Sequence, residues 1–296
     1  MIEPSRRGYL ALLGLGAGLV AIPRTARATA PSANLADQLD AIERSLQGRL
    51  GVAILEAGSG RRWQHRADER FPLCSTFKVL AAAAILRAVD RGADSLERRV
   101  VIRSGDLVEH SPVTASRVGG SGMTLAELCA AAITTSDNTA GNMMLKAIGG
   151  PAGLTVFARS IGDDTTRLDR RETALNEAAP GDPRDTTSPM AMAQSLQNLL
   201  VGDVLSRGGR NQLAAWMIAN TTGAAKLRAG IPKRWQIGDK TGGGGNGTTN
   251  DVAILWPPVG KPVIVAIYIT GTAASADARD AAIAEIGRRT AAAIAA

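Results

Sequence analysis

The sequence has few of the residues on which several common kinds of active site depend. It contains two histidines, His65 and His110, and neither stands in a recognisable nucleophile motif. A hydrolase with a Ser-His-Asp triad needs a histidine as its general base and commonly carries its serine in a G-x-S-x-G turn. This class of hydrolase is therefore disfavoured. We also expect no metal and no cofactor at the active site.

Aromatic residues and an excess of charge are scarce as well. Phe, Trp and Tyr together make up 3% of the chain. The formal net charge of +7 includes +3 from residues 1–28, which leaves about +4 for the rest. Nucleic-acid-binding proteins usually present a clustered basic face or aromatic residues for base stacking. Here the basic residues are scattered, so we expect no nucleic-acid partner and only a local pocket for a small anionic substrate.

Long apolar runs are absent after residue 28, and the one run before it is typical of a targeting segment. Residues 5–10 contain paired arginines, as a twin-arginine signal does, and a glycine-diluted apolar stretch follows over 10–22. The A-R-A at 26–28 offers a cleavage site of small residues. The sequence predicts a cleaved signal peptide over 1–28 and a periplasmic or secreted protein, monomeric and without stable membrane association. A Sec signal and a retained anchor are the alternatives.

Three short motifs occur in order along the chain: S-T-F-K at 75–78, S-D-N at 136–138 and K-T-G at 240–242. Each is weak alone, since a pair such as Ser75 and Lys78 often lies solvated on one face of a helix. The combination is specific, because S-x-x-K, S-D-N and K-T-G occur together in one group of serine enzymes that work without a histidine.

A lysine three residues after a serine can act as the missing base. Burial near other cations lowers the pKa of a lysine, so Lys78 could take the proton that Ser75 must lose before it attacks. The helix N-terminus beneath Ser75 would add backbone N–H groups that stabilise an oxyanion. A buried helix is predicted from about Ser75 to Asp90, with apolar positions at Phe77, Leu80, Ala81, Ala84, Ile85 and Ala88.

A fourth motif, R-R-E-T-A-L-N at 170–176, supplies a second proton acceptor. Glu172 and Asn176 stand four residues apart, where one face of a helical turn would let a carboxylate and an amide share one water. An exposed surface pair is the ordinary alternative for this spacing. Arg170 and Asp185 flank a connection that contains proline and glycine, which favours a functional Ω-loop between them.

Together the motifs resemble those of class A serine β-lactamases, and the resemblance covers nearly all of the chain from about Asn34 to the C-terminal helix. It implies hydrolysis of the β-lactam amide bond of penicillins and cephalosporins through a serine acyl-enzyme, which confers resistance. It also implies that Arg170 and Asp185 clamp the neck of the Ω-loop. The alternatives are a D,D-peptidase or other penicillin-binding protein, a β-lactam sensor that acylates without fast turnover, and a serine glutaminase. Glu172 and Asn176 disfavour the peptidase, because such enzymes keep a long-lived acyl-enzyme.

The resemblance assigns the proton transfers to a few side chains. Ser75 is the acylated nucleophile, and Lys78 shares the proton transfer with Glu172; which of the two is the acylation base stays open. Ser136 relays a proton to the departing β-lactam nitrogen. Glu172 and Asn176 position the water that cleaves the acyl-enzyme.

The contacts with substrate follow from the same resemblance. Asn138 binds the acylamido side chain, while Lys240 and Thr241 hold the substrate carboxylate with help from the serine of S-D-N. Gly242 and Gly243 allow the ligand to approach the strand backbone closely. The N–H of Gly243 joins that of the nucleophile in the oxyanion hole.

Several positions depart from the family pattern. Thr249 replaces an arginine that reaches the substrate carboxylate in many penicillinases, and Gly243 replaces a serine or threonine. We expect Lys226 to supply the missing charge, because related carbapenem-hydrolysing members carry arginine there; a solvent-facing loop lysine is the alternative. His110 stands where the family has a gatekeeping aromatic residue, so we expect it to line the pocket. A plain loop residue is the alternative.

The chain has two cysteines, Cys74 and Cys129. Export to an oxidising compartment would favour a disulfide. In the family, however, these two places pair with partners that correspond here to Gly244 and about Ala82. Since neither partner is a cysteine, we expect two buried free thiols.

Strand patterns occur towards both ends of the chain, with helical patterns between them. The predicted fold is α/β (α+β): an antiparallel sheet built from both termini and flanked by helices, with an inserted all-α domain and the active site at the seam. Residues 29–72 and 219–296 would form the α/β domain, and 73–218 the helical domain, which includes the Ω-loop at about 170–185. Terminal helices are predicted at 34–46 and from 276 onwards, and strands at 50–56, 61–65, 235–239, 251–256 and 262–270.

Overall fold

The computed structural model describes residues 35–295, and its strands form one large sheet and two short ladders. Along these residues the strands are β1 (Arg49–Glu56), β2 (Arg62–His65), β3 (Phe71–Pro72), β4 (Arg99–Val100), β5 (Met123–Thr124), β6 (Thr186–Thr187), β7 (Gln236–Gly243), β8 (Thr249–Trp256) and β9 (Val263–Thr270). The large sheet is antiparallel with the order β2-β1-β9-β8-β7, while β3 pairs with β6 and β4 with β5. Because β1 and β9 lie side by side, the predicted sheet built from both ends of the chain is confirmed.

Most helices follow β2 and precede β7 along the chain. Several begin at a capping side chain that accepts a hydrogen bond from a backbone N–H of the first turn, as Asp137 and Ser188 do. Such caps satisfy donors that have no partner inside the helix and typically contribute about 1 kcal/mol. In the described residues the helices are α1 (Leu35–Leu46), α2 (Phe77–Asp90), α3 (Leu125–Thr134), α4 (Asn138–Ala147), α5 (Gly150–Ser160), α6 (Pro189–Leu200), α7 (Arg207–Ile218), α8 (Leu227–Gly230) and α9 (Ala276–Ala295).

Side chains on the two faces of the large sheet belong to two hydrophobic cores. On β1, Val52 and Ile54 belong to one core, and Ala53 and Leu55 belong to the other, as the two-residue period of a strand requires. The first core is closed by α1 and α9, and the second contains α2 with other helices from the middle of the chain. Because both faces are covered, the central strands β1 and β9 are almost continuous apolar runs.

Helix α2 is buried along most of its length. Every residue from Phe77 to Leu86 is buried, including Lys78. A helix that is covered on all sides belongs to the interior of a domain. A lysine in such a helix needs partners for its ammonium group, because an isolated buried charge is very costly. The fold therefore requires a set of acceptors around Lys78.

Three predictions concern the ends and the division of the chain. The division into an α/β domain (29–72 with 219–296) and a helical domain (73–218) stays a prediction. The predicted signal peptide at 1–28 lies outside the described residues. Between residues 35 and 295, no helix combines the length and the hydropathy that a membrane-spanning helix needs.

Candidate active site

The predicted nucleophile lies in a 3-10 turn, Cys74–Thr76, immediately before α2. The sequence predicts a helix start at Ser75, but the α-helix begins two residues later, at Phe77. The reason is the turn itself: the N–H and the hydroxyl of Thr76 both donate to the Leu73 carbonyl, at 3.2 and 2.7 Å. Ser75 is only 7% exposed, so the nucleophile is largely buried below the protein surface.

Lys78 is fully buried and surrounded by oxygen atoms. Its Nζ lies 2.9 Å from Ser75 Oγ, 3.0 Å from Glu172 Oε1, 2.7 Å from Asn138 Oδ1 and 2.8 Å from the Ser136 carbonyl. Burial lowers the pKa of Lys78, and the nearby Glu172 carboxylate opposes that change. The S-x-x-K motif, the S-D-N motif and the Ω-loop therefore meet at one nitrogen.

Glu172 contacts both the nucleophile and the amide of Asn176. Ser75 Oγ donates to Glu172 Oε1 at 3.2 Å, and Asn176 Nδ2 donates to Glu172 Oε2 at 2.6 Å. Glu172 and Asn176 are four residues apart, and the 3-10 turn Ala174–Asn176 brings their side chains together. Asn176 Oδ1 is buried and has no hydrogen-bond partner among the described residues, so it can accept a bond from a small ligand.

Asn142 fixes the backbone of Glu172, and the sequence motifs do not point to it. The Glu172 N–H donates to Asn142 Oδ1 at 2.9 Å, and Asn142 Nδ2 donates to the Glu172 carbonyl at 3.0 Å. A signal was present in the spacing: Asn142 follows Asn138 by four residues on α4, which places both on one helix face. A second polar residue on the face that carries S-D-N indicates a second buried partner.

The neck of the Ω-loop is closed by an ion pair, as the resemblance implies. Arg170 Nε donates to Asp185 Oδ2 at 2.6 Å, while Asp185 Oδ1 accepts from the backbone N–H groups of Asp169 and Arg170 at 2.8 and 2.9 Å. Asp185 is buried, and Arg170 also contacts Glu177 inside the loop. These contacts tie the two ends of the loop together and support the position of Glu172.

Lys240 is the second fully buried lysine of the site. Its Nζ donates to Ser136 Oγ at 3.0 Å and to the Thr241 carbonyl at 2.8 Å. Burial, followed by the nearby charge of Lys78, lowers the pKa of Lys240 to about 7. Ser136 Oγ also lies 3.4 Å from Lys78 Nζ, so this hydroxyl stands between the two ammonium groups.

The middle residue of S-D-N holds the local structure together. Asp137 caps α4 by accepting from the Ala140 N–H at 2.8 Å, and it accepts from the N–H groups of Val113 and Thr114 at 3.0 and 2.9 Å. Its side chain is fully buried. Asp137 therefore fixes a neighbouring loop against the start of α4, where Asn138 lies.

Asn138 is oriented by the loop that contains His110. Its Nδ2 donates to the Glu109 carbonyl at 2.9 Å, and its N–H donates to the His110 carbonyl at 2.9 Å. His110 is exposed, and its Nε2 lies 3.1 Å from the Thr135 carbonyl. The structure thus brings the imidazole beside the S-D-N turn, and its role as a pocket wall stays a prediction.

The K-T-G strand β7 passes against the nucleophile turn. A Cβ at Gly242 would lie 3.2 Å from the Leu73 carbonyl oxygen and 3.3 Å from Cys74 Cβ. The glycine lets the strand approach the turn closely, because a side chain there would push the two apart. Gly243 is the exposed last residue of β7, opposite Thr249 on β8.

Both cysteines are free and buried, as predicted. A Cβ at Gly244 would lie 2.8 Å from Cys74 Sγ, so the position that holds a partner in related enzymes is close to the thiol but carries no side chain. Burial raises the pKa of both Cys74 and Cys129, which keeps them protonated and unreactive at neutral pH.

The structure does not join Lys226 to the cluster around Ser75. Its ammonium group forms an ion pair with Asp280 of α9, and the two side chains are 12% and 24% exposed. A solvent-facing loop lysine is therefore wrong for this position. The Asp280 carboxylate pairs with the Lys226 ammonium group, and the role of Lys226 toward a substrate stays a prediction.

Hydrogen bonds join most of the predicted site residues in one continuous cluster. It contains two ammonium groups, one carboxylate and two hydroxyls in contact, which is an arrangement that can move a proton to and from a serine oxygen. No group of His, Cys, Asp and Glu side chains between residues 35 and 295 has the arrangement of a metal site. The cluster is made of Ser75, Lys78, Ser136, Asn138, Glu172, Asn176, Lys240 and the Thr241 carbonyl.

Comparison with known proteins gives consistent matches over nearly the whole described chain. A model of the β-lactamase enzyme family matches residues 34–294. Among curated proteins, β-lactamase Toho-1 of Escherichia coli is 47% identical over 279 residues, which is 94% of each chain. β-Lactamase L2 of Stenotrophomonas maltophilia is 46% identical over 295 residues, covering 96% of this chain and 97% of that protein.

Solved structures agree with these sequence matches. An ancestral class A β-lactamase, GNCA, is 58% identical and superposes with a TM-score of 0.87, covering 88% of this chain and 100% of that one. The putative class A β-lactamase PenP of Rhodopseudomonas palustris is 57% identical with a TM-score of 0.86, covering 88% of this chain and 99% of that one.

Proposed function

The chain belongs to the class A serine β-lactamase family, and on that premise we propose how its own residues share the work. The protein is a β-lactamase: it hydrolyses the β-lactam amide bond of penicillins and cephalosporins, the activity that confers resistance to these antibiotics. The roles of individual residues below rest on the contacts of the cluster around Ser75.

Acylation begins when Ser75 Oγ loses its proton and attacks the β-lactam carbonyl carbon. In this arrangement Lys78 donates to Ser75 at 2.9 Å, and Ser75 donates to Glu172 at 3.2 Å. A charged Lys78 cannot accept the serine proton, so Glu172 accepts it in this state. Lys78 can act as the base only after losing its own proton, which its lowered pKa favours. The two residues therefore share the transfer.

Breakdown of the tetrahedral intermediate requires a proton on the departing nitrogen. As the C–N bond breaks, Ser136 Oγ gives its proton to the nitrogen and takes one from the Lys78 ammonium group. Where Glu172 accepted the serine proton, it passes that proton on to Lys78, 3.0 Å away, which restores the carboxylate for deacylation. Lys78 and Lys240 lie 3.4 and 3.0 Å from this oxygen. The oxyanion would be held by the N–H groups of Ser75 and Gly243, because Gly242 brings β7 against the nucleophile turn.

Deacylation requires a water placed between a base and the acyl carbonyl. Glu172 would take a proton from that water, and Asn176 Oδ1, a buried acceptor with no partner among the described residues, would orient it. The hydroxide then attacks the acyl carbonyl carbon, the ester bond to Ser75 breaks, and Ser75 Oγ takes the proton that Glu172 removed from the water.

Substrate is held by groups on both sides of the nucleophile. The ammonium of Lys240 and the hydroxyl of Thr241 would bind the substrate carboxylate. Asn138 Nδ2 has a second hydrogen besides the one given to the Glu109 carbonyl, and that hydrogen would meet the acylamido carbonyl. His110 would form a wall of the pocket beside Asn138.

Lys226 would add positive charge at the carboxylate end of the pocket, where Thr249 offers none. Its ammonium is paired with Asp280, which fixes its position and offsets part of its charge. A lysine gives a point charge without the bidentate geometry of arginine, so we propose a weaker and less directional contact with the substrate.

The single observation that carries the catalytic proposal is the contact of Glu172 with Ser75 on one oxygen and with Asn176 on the other. Glu172→Gln removes the base but keeps a side chain of the same shape, with one acceptor oxygen in place of two. We expect a stable covalent adduct of a penicillin on Ser75, seen by mass spectrometry, together with loss of nitrocefin turnover. Turnover at the wild-type rate would refute the role.

Two variants control that experiment. Glu97→Gln changes an exposed glutamate that makes no contact with the cluster or the Ω-loop, and its turnover should stay close to that of the wild type. Ser75→Ala should form no adduct and have no turnover, with an unchanged melting curve. An adduct in Ser75→Ala would show that another residue is acylated.

We propose that the mature enzyme is a monomer, periplasmic or secreted, that it binds neither nucleic acid nor membrane, and that residues 1–28 direct it to the twin-arginine pathway. A reporter fused after residue 28 should be exported in wild-type bacteria and retained in a strain that lacks this pathway. Replacing the paired arginines with lysines should also retain it, whereas export of that variant would indicate a Sec signal.

A further inference from the structure

Behind Thr241, a chain of hydrogen bonds leads away from the pocket. Thr241 Oγ1 lies 2.5 Å from Thr222 Oγ1, and Thr222 Oγ1 lies 2.8 Å from Asn220 Oδ1. Asn220 Nδ2 then donates to Asp239 Oδ2 at 2.9 Å. The chain therefore joins a proposed substrate-binding hydroxyl to a buried carboxylate through two intervening side chains.

The orientation of the Asn220 amide is fixed by its neighbours. The backbone N–H of Thr222 can only donate, and it points at one amide atom of Asn220 from 3.1 Å. That atom must be the oxygen. The nitrogen consequently faces Asp239, whose other oxygen accepts from Arg228 Nε at 2.6 Å. A flipped amide would set two donors against each other at one end and two acceptors at the other.

This orientation determines where the hydroxyl hydrogens lie. Asn220 Oδ1 accepts only, so the Thr222 hydroxyl must be the donor in the 2.8 Å contact. A hydroxyl has one hydrogen, so Thr222 Oγ1 can act only as an acceptor toward Thr241. Thr241 must then be the donor in the 2.5 Å contact between the two hydroxyls. In the free enzyme the hydrogen of Thr241 is directed at Thr222.

The end of this hydrogen-bond chain that lies farther from the pocket, at Asn220 and Asp239, is buried. Asn220 is 5% exposed and Asp239 is fully buried. A Cβ at Gly223 would lie 1.9 Å from Asp239 Oδ2, so the backbone of this turn is wrapped directly around the carboxylate. The direction of the hydrogen bonds is therefore set by buried groups, while Thr222 itself is exposed.

We propose that Thr222 is a positioning residue that withholds the Thr241 hydrogen from the pocket until a substrate carboxylate arrives. A carboxylate only accepts hydrogen bonds, so Thr241 must turn its hydrogen away from Thr222 before it can bind one. Each binding event exchanges one hydrogen bond for another, and Thr222 weakens the binding of anionic substrates by that competition. This inference rests on the proposed contact between Thr241 and the substrate carboxylate.

Thr222→Ala tests the competition, because it removes the competing acceptor without adding bulk beside Thr241. We expect kcat/KM for benzylpenicillin to rise about threefold, the range that one net hydrogen bond allows, with kcat unchanged. Thr222→Ser keeps the acceptor and should behave like the wild type. Melting temperatures of the two variants check that the turn stays folded.

A pair of inhibitors separates carboxylate binding from reactivity at Ser75. An arylboronic acid with a carboxylate should bind Thr222→Ala more tightly than it binds the wild type, and the same compound without the carboxylate should bind both equally. A fall in kcat/KM for Thr222→Ala would overturn the inference and show that Thr222 itself binds substrate. An unchanged kcat/KM would also overturn it. Failure of the wild type to hydrolyse any β-lactam would instead overturn the proposed function.

Discussion

Lys78 and Lys240 are both fully buried in the same site, yet the charges around them differ. Lys78 contacts the Glu172 carboxylate, so its charge is balanced inside the protein. Lys240 contacts only neutral oxygens, those of Ser136 and Thr241, and no carboxylate of the described residues lies within ion-pair distance. The first lysine belongs to a closed proton-transfer network. The second has no carboxylate in direct contact, which leaves its ammonium group available to a substrate carboxylate.

The largest difference between the two lysines should appear when each is replaced by methionine. Lys78→Met leaves the buried Glu172 carboxylate without a cation, which should lower the free energy of unfolding by about 3 kcal/mol and kcat/KM by about 10³-fold. Lys240→Met removes a cation that balances no contacting carboxylate, so it should destabilise less. Urea unfolding at pH 7 measures both.

A double variant checks the cause of that difference. In Lys78→Met/Glu172→Gln the buried carboxylate is gone too, and most of the lost stability should return. Equal destabilisation by the two methionine variants, or no recovery in the double variant, would show that the charges around Lys78 and Lys240 do not differ in the way the contacts indicate.

A smaller difference should appear in the pH dependence of activity. Lys240 has a pKa lowered to about 7 in the free enzyme, so it is charged below that pH and loses its charge as the pH rises. The second-order constant kcat/KM for an anionic penicillin should therefore fall above pH 7, approaching tenfold per pH unit. Lys240→Arg stays charged across this range and should flatten the fall. An identical alkaline limb in both enzymes would assign the titration to another group.

Lys226 should have the smallest effect, because Asp280 already offsets part of its charge. Lys226→Ala should raise KM for penicillins and cephalosporins by about tenfold, as expected for one partly exposed charged contact of about 1–2 kcal/mol. High salt should shrink the difference. Asp280→Asn is the matched control: it frees Lys226 and should not raise KM. An unchanged KM for Lys226→Ala across several substrates would show that the lysine serves only the ion pair.

The sequence predicts the parts of the site whose identity the reaction itself dictates. The serine, the two lysines and the Ω-loop glutamate stand in short motifs, because their chemistry allows few substitutes and their spacing is local. The long strands β8 and β9 can also be predicted from the sequence, because a strand that is buried on both faces contains an apolar run. The contact between Arg170 and Asp185 was accessible only through the family resemblance.

The parts that the sequence does not reveal depend on contacts between distant positions. Asn142 holds Glu172 across 30 residues, and Lys226 meets Asp280 across 54. The sequence around Asn142 or Lys226 contains no local pattern that would identify the residue each one contacts. The ladders formed by β3 with β6 and β4 with β5 are two residues long, too short for a period to appear.

The pairing of β1 with β9 has a consequence for how the chain is made. Each residue of β1 from Arg49 to Glu56 has its ladder partner between Val263 and Thr270, so more than 200 residues separate the two strands in the order of synthesis. A chain still on the ribosome can form the β1–β2 hairpin, but one edge of β1 stays open until β9 has been made. Contacts this distant in sequence make folding slow, and an open strand edge can pair with another chain. Newly made protein should therefore depend on chaperones until β9 is available, and a chain truncated before β9 should aggregate.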